Sequence, residues 1–142
     1  MRALLDVNVL IALFDADHSL HEQALRWFRE NAKSGWATCP LTQNGCIRIM
    51  SQPGYPNALP VDAVAQRLRE AVSNAQHEFW PDEVSLLDTR AVDTSRIHGP
   101  KQLTDAYLLC LAVARGGRLV TFDRAVPMGA VVNAQKKQLV II

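Results

Sequence analysis

Residues 103–123 run LTDAYLLCLAVARGGRLVTFD, and how this stretch is read decides the fold. Its first half, from Leu103-Thr104-Asp105-Ala106-Tyr107-Leu108-Leu109 onward, is strongly apolar and uninterrupted by proline or glycine up to residue 115. Gly116-Gly117 then stops it, as glycine does just past a helix C-terminus. The second half, Leu119-Val120-Thr121-Phe122-Asp123, is a short apolar run closed by an acid, the pattern of a buried strand. A helix over 103–115 feeding directly into a strand over 118–122 is one unit of an alternating α/β fold.

The rest of the chain extends this alternation. Residues 2–5 read as a buried strand, Ala3-Leu4-Leu5 ending at Asp6, with a helix over 8–14 directly after it. Leu20, Ala24, Trp27 and Phe28 recur at helical spacing within 18–32. Gly35-Trp36-Ala37-Thr38-Cys39 reads as a strand stopped by Pro40, and 42–50 as a helix. Ser51 to Asn57 is rich in turn residues but too short to link two domains. Pro60 opens a further helix bearing Val61, Val64, Leu68 and Val72. Phe79-Trp80-Pro81 reads as the start of a loop, Val84-Ser85-Leu86-Leu87 as a strand, and 138–142 as the last strand. Strands separated by helices predict a parallel sheet covered on both faces, in a single domain over 1–142.

Composition narrows the class. Apolar residues at 49% and charged residues at 20% exclude a disordered chain. No apolar run approaches the roughly 20 residues of a membrane helix. The N-terminal apolar stretch is broken by Asp6, Asn8 and Asp15, which argues against a signal peptide. Cys39, Cys46 and Cys110 lack zinc spacing and form an odd set, so buried reduced thiols and a cytoplasmic location are expected. A net charge of +1 leaves any nucleic-acid role to local clusters of bases.

The acids carry the chemistry. Ligands of open parallel sheets bind beyond the carboxyl ends of the strands, where Asp6 and Asp123 fall. Asp105 lies in the first turn of its helix, where the helix dipole favours negative charge. Taken singly, Asp6 could cap the helix at 8–14, Asp105 could be a plain first-turn acid, and Asp123 could cap the turn into Arg124-Ala125. Taken together on one rim, they cannot all ionise without a neutralising cation. Magnesium, or manganese, accepts such oxygen ligands and keeps waters beside a substrate phosphate. That combination points to hydrolysis of phosphodiesters by a metal-activated water.

Leu4-Leu5-Asp6-Val7-Asn8-Val9-Leu10 resembles the opening motif of PIN-domain ribonucleases, in particular the VapC toxins of VapBC toxin–antitoxin pairs. Leu103-Thr104-Asp105-Ala106-Tyr107-Leu108 with Ala112, followed by Leu119-Val120-Thr121-Phe122-Asp123, is similar to the later motifs of that family in type, order and separation. The resemblance spans nearly the whole chain. It implies a three-layer PIN-like fold, a five-stranded parallel sheet flanked by helices, and a magnesium-dependent ribonuclease site on Asp6, Asp105 and Asp123. It also implies an antitoxin partner that inserts into the site, and a homodimer. The helices at 18–32 and 60–77 offer surfaces for either.

One position departs from the family pattern. Where a glutamate is common, the helix reads Leu41-Thr42-Gln43-Asn44-Gly45-Cys46-Ile47-Arg48, without an acid. Asn44 is assigned to that position, leaving three formal charges at the site and a weaker hold on metal. The plainer reading is that Thr42 caps the helix and Asn44 merely lies in its first turn. Asn8 is close enough to Asp6 to reach the same site. Asp15, Asp17, His18 and His21 look metal-like but read better as loop and cap residues, and Asp93 as a rim neighbour outside the core set. Arg48, Arg96, His98, Lys101 and Arg124, each near an acid in sequence, are the expected RNA contacts. Two competing functions remain: a weakened RNA- or protein-binding module marked by Asn44, and an aspartyl-phosphate phosphatase using Asp6. The latter wants a second aspartate where Asn8 stands.

Overall fold

Five parallel strands form one sheet in the order β3-β2-β1-β4-β5: β1 (Ala3–Leu5), β2 (Trp36–Thr38), β3 (His77–Phe79), β4 (Arg118–Thr121) and β5 (Leu139–Ile141). They come from a computed structural model that describes residues 1–142. The helices are α1 (Val7–Phe14), α2 (His21–Asn31), α3 (Pro40–Met50), α4 (Val61–Val72) and α5 (Leu103–Ala114).

Alternation along the central strands sorts their side chains into two cores, because successive residues point to opposite faces. Ala3, Leu5, Trp36 and Val120 pack with Val9, Leu10, Cys46, Val64 and Leu68, on the face covered by α1, α3 and α4. Leu4, Ala37 and Leu119 pack instead with Trp80 and the α5 residues Leu108, Leu109 and Leu111. Strands buried on both faces are apolar throughout, which is why β1 and β4 are legible as continuous apolar runs. All three cysteines are buried and free, as expected. No helix is long and apolar enough to cross a membrane.

Several expectations need correction, among them the helix expected over 60–77, which ends at Val72. Val84-Ser85-Leu86-Leu87 is not a strand. Val84 and Leu86 pack against the core on the α5 side from an irregular segment, and the third strand lies earlier, at His77–Phe79. Its pairing with β2 is regular, from Trp36 opposite His77 to Thr38 opposite Phe79. As an edge strand with Glu78 and Phe79 exposed, it carries no apolar run to reveal it. The helix expected at 18–32 spans only 21–31, because Asp15 to Leu20 form a turn, and α3 begins two residues early with Pro40 at its first position.

The strand order matters for the site. From β1 the chain steps outward to β2 and β3, then returns to place β4 on the other side of β1. The reversal falls between β1 and β4, and the carboxyl ends of strands at such a switch point are where open α/β sheets bind ligands. Helix α3 reaches the same region. A Cβ on Gly45 would stand 2.7 Å from Val7 Cγ2, so the absence of a side chain lets α3 lie against the start of α1.

Candidate active site

Asp6 follows the last residue of β1 and caps α1, its Oδ1 accepting from the Val7 N–H at 2.7 Å. In the parallel register Leu5 faces Val120, so the next residues, Asp6 and Thr121, sit side by side at the ends of their strands. The Asp6 N–H reaches the Val120 carbonyl at 3.0 Å, and Thr121 Oγ1 donates to Asp6 Oδ2 at 2.6 Å. Asp6 is buried, and burial raises its pKa above the ordinary carboxylate value. Donation from Thr121 and Val7 opposes that rise, and the Asp123 charge adds to it.

Asp123 lies two residues beyond Thr121, its N–H donating to Thr121 Oγ1 at 3.0 Å. Its own Oδ1 accepts from the Ala125 N–H at 2.7 Å, fixing the tight turn that follows β4. Asp105, in the first turn of α5, is buried. Burial first, then the charges of Asp6 and Asp123, raise its carboxyl from 3.8 to about 7. Three acids from three parts of the chain therefore act on one another electrostatically. The capping roles also hold for Asp6 and Asp123. The two are compatible, because a carboxylate oxygen that accepts one N–H keeps a second lone pair.

Asn8, the second residue of α1, donates from Nδ2 to Thr121 Oγ1 at 3.2 Å. Its Oδ1 is buried and has no hydrogen-bond partner, an acceptor waiting for a cation or a water. The donors here are all oxygens, the chemistry of a hard cation such as magnesium. No three acid, His or Cys side chains stand together closely enough to hold a metal ion by themselves. The acids and Asn8 offer the kind of donor a hard cation takes, with waters and substrate oxygens needed to complete its shell.

Asn44 is exposed on α3 next to Gly45, and no hydrogen bond joins it to the acids. Thr42 does close the start of α3, accepting from the Cys39 N–H at 3.0 Å and donating to the Cys39 carbonyl at 3.1 Å. Arg48 is exposed on the last turn of α3, with no bond to the acids. Arg96, His98 and Lys101 are exposed on the loop that leads into α5, and Arg124 is exposed beside Asp123. Of these, Arg96 is held by its own side chain, donating to the Gly129 carbonyl at 3.0 Å.

Polar residues set aside from the sequence also find their places. Asp15 accepts from the Tyr55 hydroxyl, His21 bonds the Ala12 carbonyl at 2.7 Å, and His18 Nδ1 accepts from the Leu20 N–H at 3.0 Å. Asp93 caps the turn at 94–96 and bonds Ser95. Sequence reasoning missed Thr121. Its signal was present, as a hydroxyl at the inner end of an otherwise apolar strand.

Comparison with known proteins gives the family and the fold. The PIN domain family model matches residues 3–128. The chain is 52% identical over 139 residues to ribonuclease VapC44 of Mycobacterium tuberculosis, covering 98% of each protein. To ribonuclease VapC39 of the same organism it is 46% identical over 127 residues, covering 88% of this chain and 91% of the relative. The fold is also similar to that of VapBC2 from Rickettsia felis, solved bound to a DNA fragment from its promoter. There the TM-score is 0.60 at 13% identity, covering 87% of this chain and 89% of that one. A second solved structure, PAE2754 from Pyrobaculum aerophilum, has a TM-score of 0.60 at 18% identity, covering 99% and 84%. With acids on three elements at the switch point of a five-stranded parallel sheet, a family match across most of its length and relatives of this identity, the chain belongs to the PIN-domain family and, within it, to the VapC ribonucleases.

Proposed function

We propose that this chain is a magnesium-dependent endoribonuclease, the toxin of a type II toxin–antitoxin pair. The observation that carries the metal is the raised carboxyl of Asp105 between Asp6 and Asp123, a charge cluster in need of a cation. Asp6, Asp105 and Asp123 would hold the ion, magnesium or manganese. Asn8 Oδ1 would accept from a water beside it, and Asn44 would help orient a second. When bound, such an ion lowers the pKa of water and neutralises charge on a phosphate. Arg48, Arg96, His98, Lys101 and Arg124 would meet the phosphates flanking the scissile bond.

The residues of the chain do the positioning. Thr121 fixes the Asp6 carboxylate by donating to its Oδ2. The Ala125 N–H holds Asp123 at the end of its turn. Val7 and the α1 N-terminus keep Asp6 on the rim. An apolar groove of about 260 Å³ lined by Leu10, Leu13, Phe14, Leu25, Phe28 and Trp36 supports a protein partner, here an antitoxin. A homodimer is part of the same proposal.

A magnesium titration of cleavage of total bacterial RNA tests the enzyme. Cleavage should rise with magnesium and be abolished in Asp6→Asn and in Asp105→Asn. Equal cleavage by wild type and both variants overturns the proposal.

A further inference from the structure

Gln102 is the residue on which the basic loop hangs. Its side-chain oxygen accepts from the His98 N–H at 2.9 Å, and its side-chain nitrogen donates to the Ala125 carbonyl at 2.9 Å. The two ends of one amide thus join the loop carrying Arg96, His98 and Lys101 to the turn carrying Asp123, Arg124 and Ala125. Gln102 also directly precedes α5, three residues before Asp105. Its backbone N–H bonds the Gly99 carbonyl at 3.1 Å, closing the short turn at 100–102.

The two segments it joins differ in how well they are otherwise held. The Asp123 turn has its own bonds, from Asp123 N–H to Thr121 and from Ala125 N–H to Asp123. Loop 97–101 has no strand or α-helix pairing; outside itself it is held by the Gln102 amide, by Ile97 packed against the core and, through the adjoining turn, by Arg96 donating to the Gly129 carbonyl. Loss of the Gln102 amide should therefore loosen the loop from His98 to Lys101, beyond the Ile97 anchor, and leave the acids in place.

We propose that Gln102 is a positioning residue for RNA: it holds the Arg96–Lys101 loop against the Asp123 turn, so that cations of both segments meet the same stretch of phosphates. This rests on the ribonuclease reading above. Phosphate contacts contribute sequence-tolerant, salt-dependent affinity, and their number sets the salt slope. A preordered loop binds without first losing its conformational freedom.

The test uses the full chain and a fluorescent pool of random-sequence single-stranded RNA, with affinity read by anisotropy over a series of salt concentrations. Gln102→Met keeps the length of the side chain and removes both bonds; Gln102→Ala serves as a second variant. In each, the Kd should weaken about fivefold to tenfold. The slope of log affinity against log salt should become shallower by about one. Hydrogen exchange at the His98 amide should accelerate, while the melting temperature stays close to wild type. Wild-type affinity and slope in both variants overturn the proposal, as does a lowered melting temperature with unchanged RNA affinity. Wild-type protein that neither binds the pool nor cuts total RNA overturns the ribonuclease reading, and this role with it.

Discussion

Thr121 Oγ1 lies 2.6 Å from Asp6 Oδ2 across the seam of β1 and β4 and donates a hydrogen bond to that carboxylate, whose other oxygen accepts from the Val7 N–H. The same oxygen receives N–H groups from Asn8 and from Asp123, so every bond a hydroxyl can make is used. One buried side chain thereby ties two of the three acids and the adjoining amide into a single arrangement.

Replacing Thr121 by Val, nearly equal in shape, should leave the Asp6 carboxylate, the Asn8 amide and the Asp123 N–H each short of a partner. The expected cost is about 1–3 kcal/mol of unfolding free energy, read by urea denaturation. Thr121→Ser should recover most of it. A Val variant as stable as wild type would show that water replaces the hydroxyl completely.

Acidity at Asp105 makes the stability of the metal-free protein depend on pH. The folded carboxyl keeps its proton up to about 7, whereas the unfolded one releases it near 3.8. Between those values the native state binds more protons, so stability falls as pH rises through the window. The raised pKa of Asp6 acts in the same direction. Urea melts from about pH 4 to about pH 8 should show this decline, and Asp105→Asn should flatten it. Added magnesium should restore stability most at the upper end, where it meets ionised acids. A melt series in which wild type and variant run parallel contradicts the shared-charge site.

Asn44 offers a test of charge count. Asn44→Asp places a fourth carboxylate on the helix that Gly45 brings against the start of α1. Magnesium affinity measured by calorimetry should then tighten about tenfold. No change in affinity removes Asn44 from the site.

Gly45 itself is a packing position. A methyl there would meet Val7 Cγ2 at 2.7 Å, and the branched side chain of Val7 has little freedom to withdraw. Gly45→Ala should destabilise the fold by about 1–3 kcal/mol despite its better helix propensity, as measured by thermal or urea melts. A stabilised Ala variant would place α3 farther from α1 than described above.

Asp6, Asp105 and Asp123 were legible because each stands where a chain pattern changes, at the end of an apolar run or the start of a helix. Strand β3 was not legible. His77-Glu78-Phe79 is held by backbone pairing to β2 and leaves two of its three side chains exposed, so no burial pattern marks it. The misread Val84–Leu87 segment shows the converse, with Val84 and Leu86 partly buried against the core from an irregular backbone. Gln102 was equally silent, since its bonds span four residues in one direction and 23 in the other.

The sequence by itself determined the alternation of strands and helices and the three acids, because burial imposes its period on the side chains and acids near apolar runs stand out against it. Only the tertiary structure decided which atoms meet. The register that sets Thr121 beside Asp6, the strand reversal between β1 and β4, and the amide of Gln102 spanning two loops all depend on contacts between residues distant along the chain. Such contacts are fixed by packing and hydrogen-bond geometry, which leave no periodic trace in the order of residues.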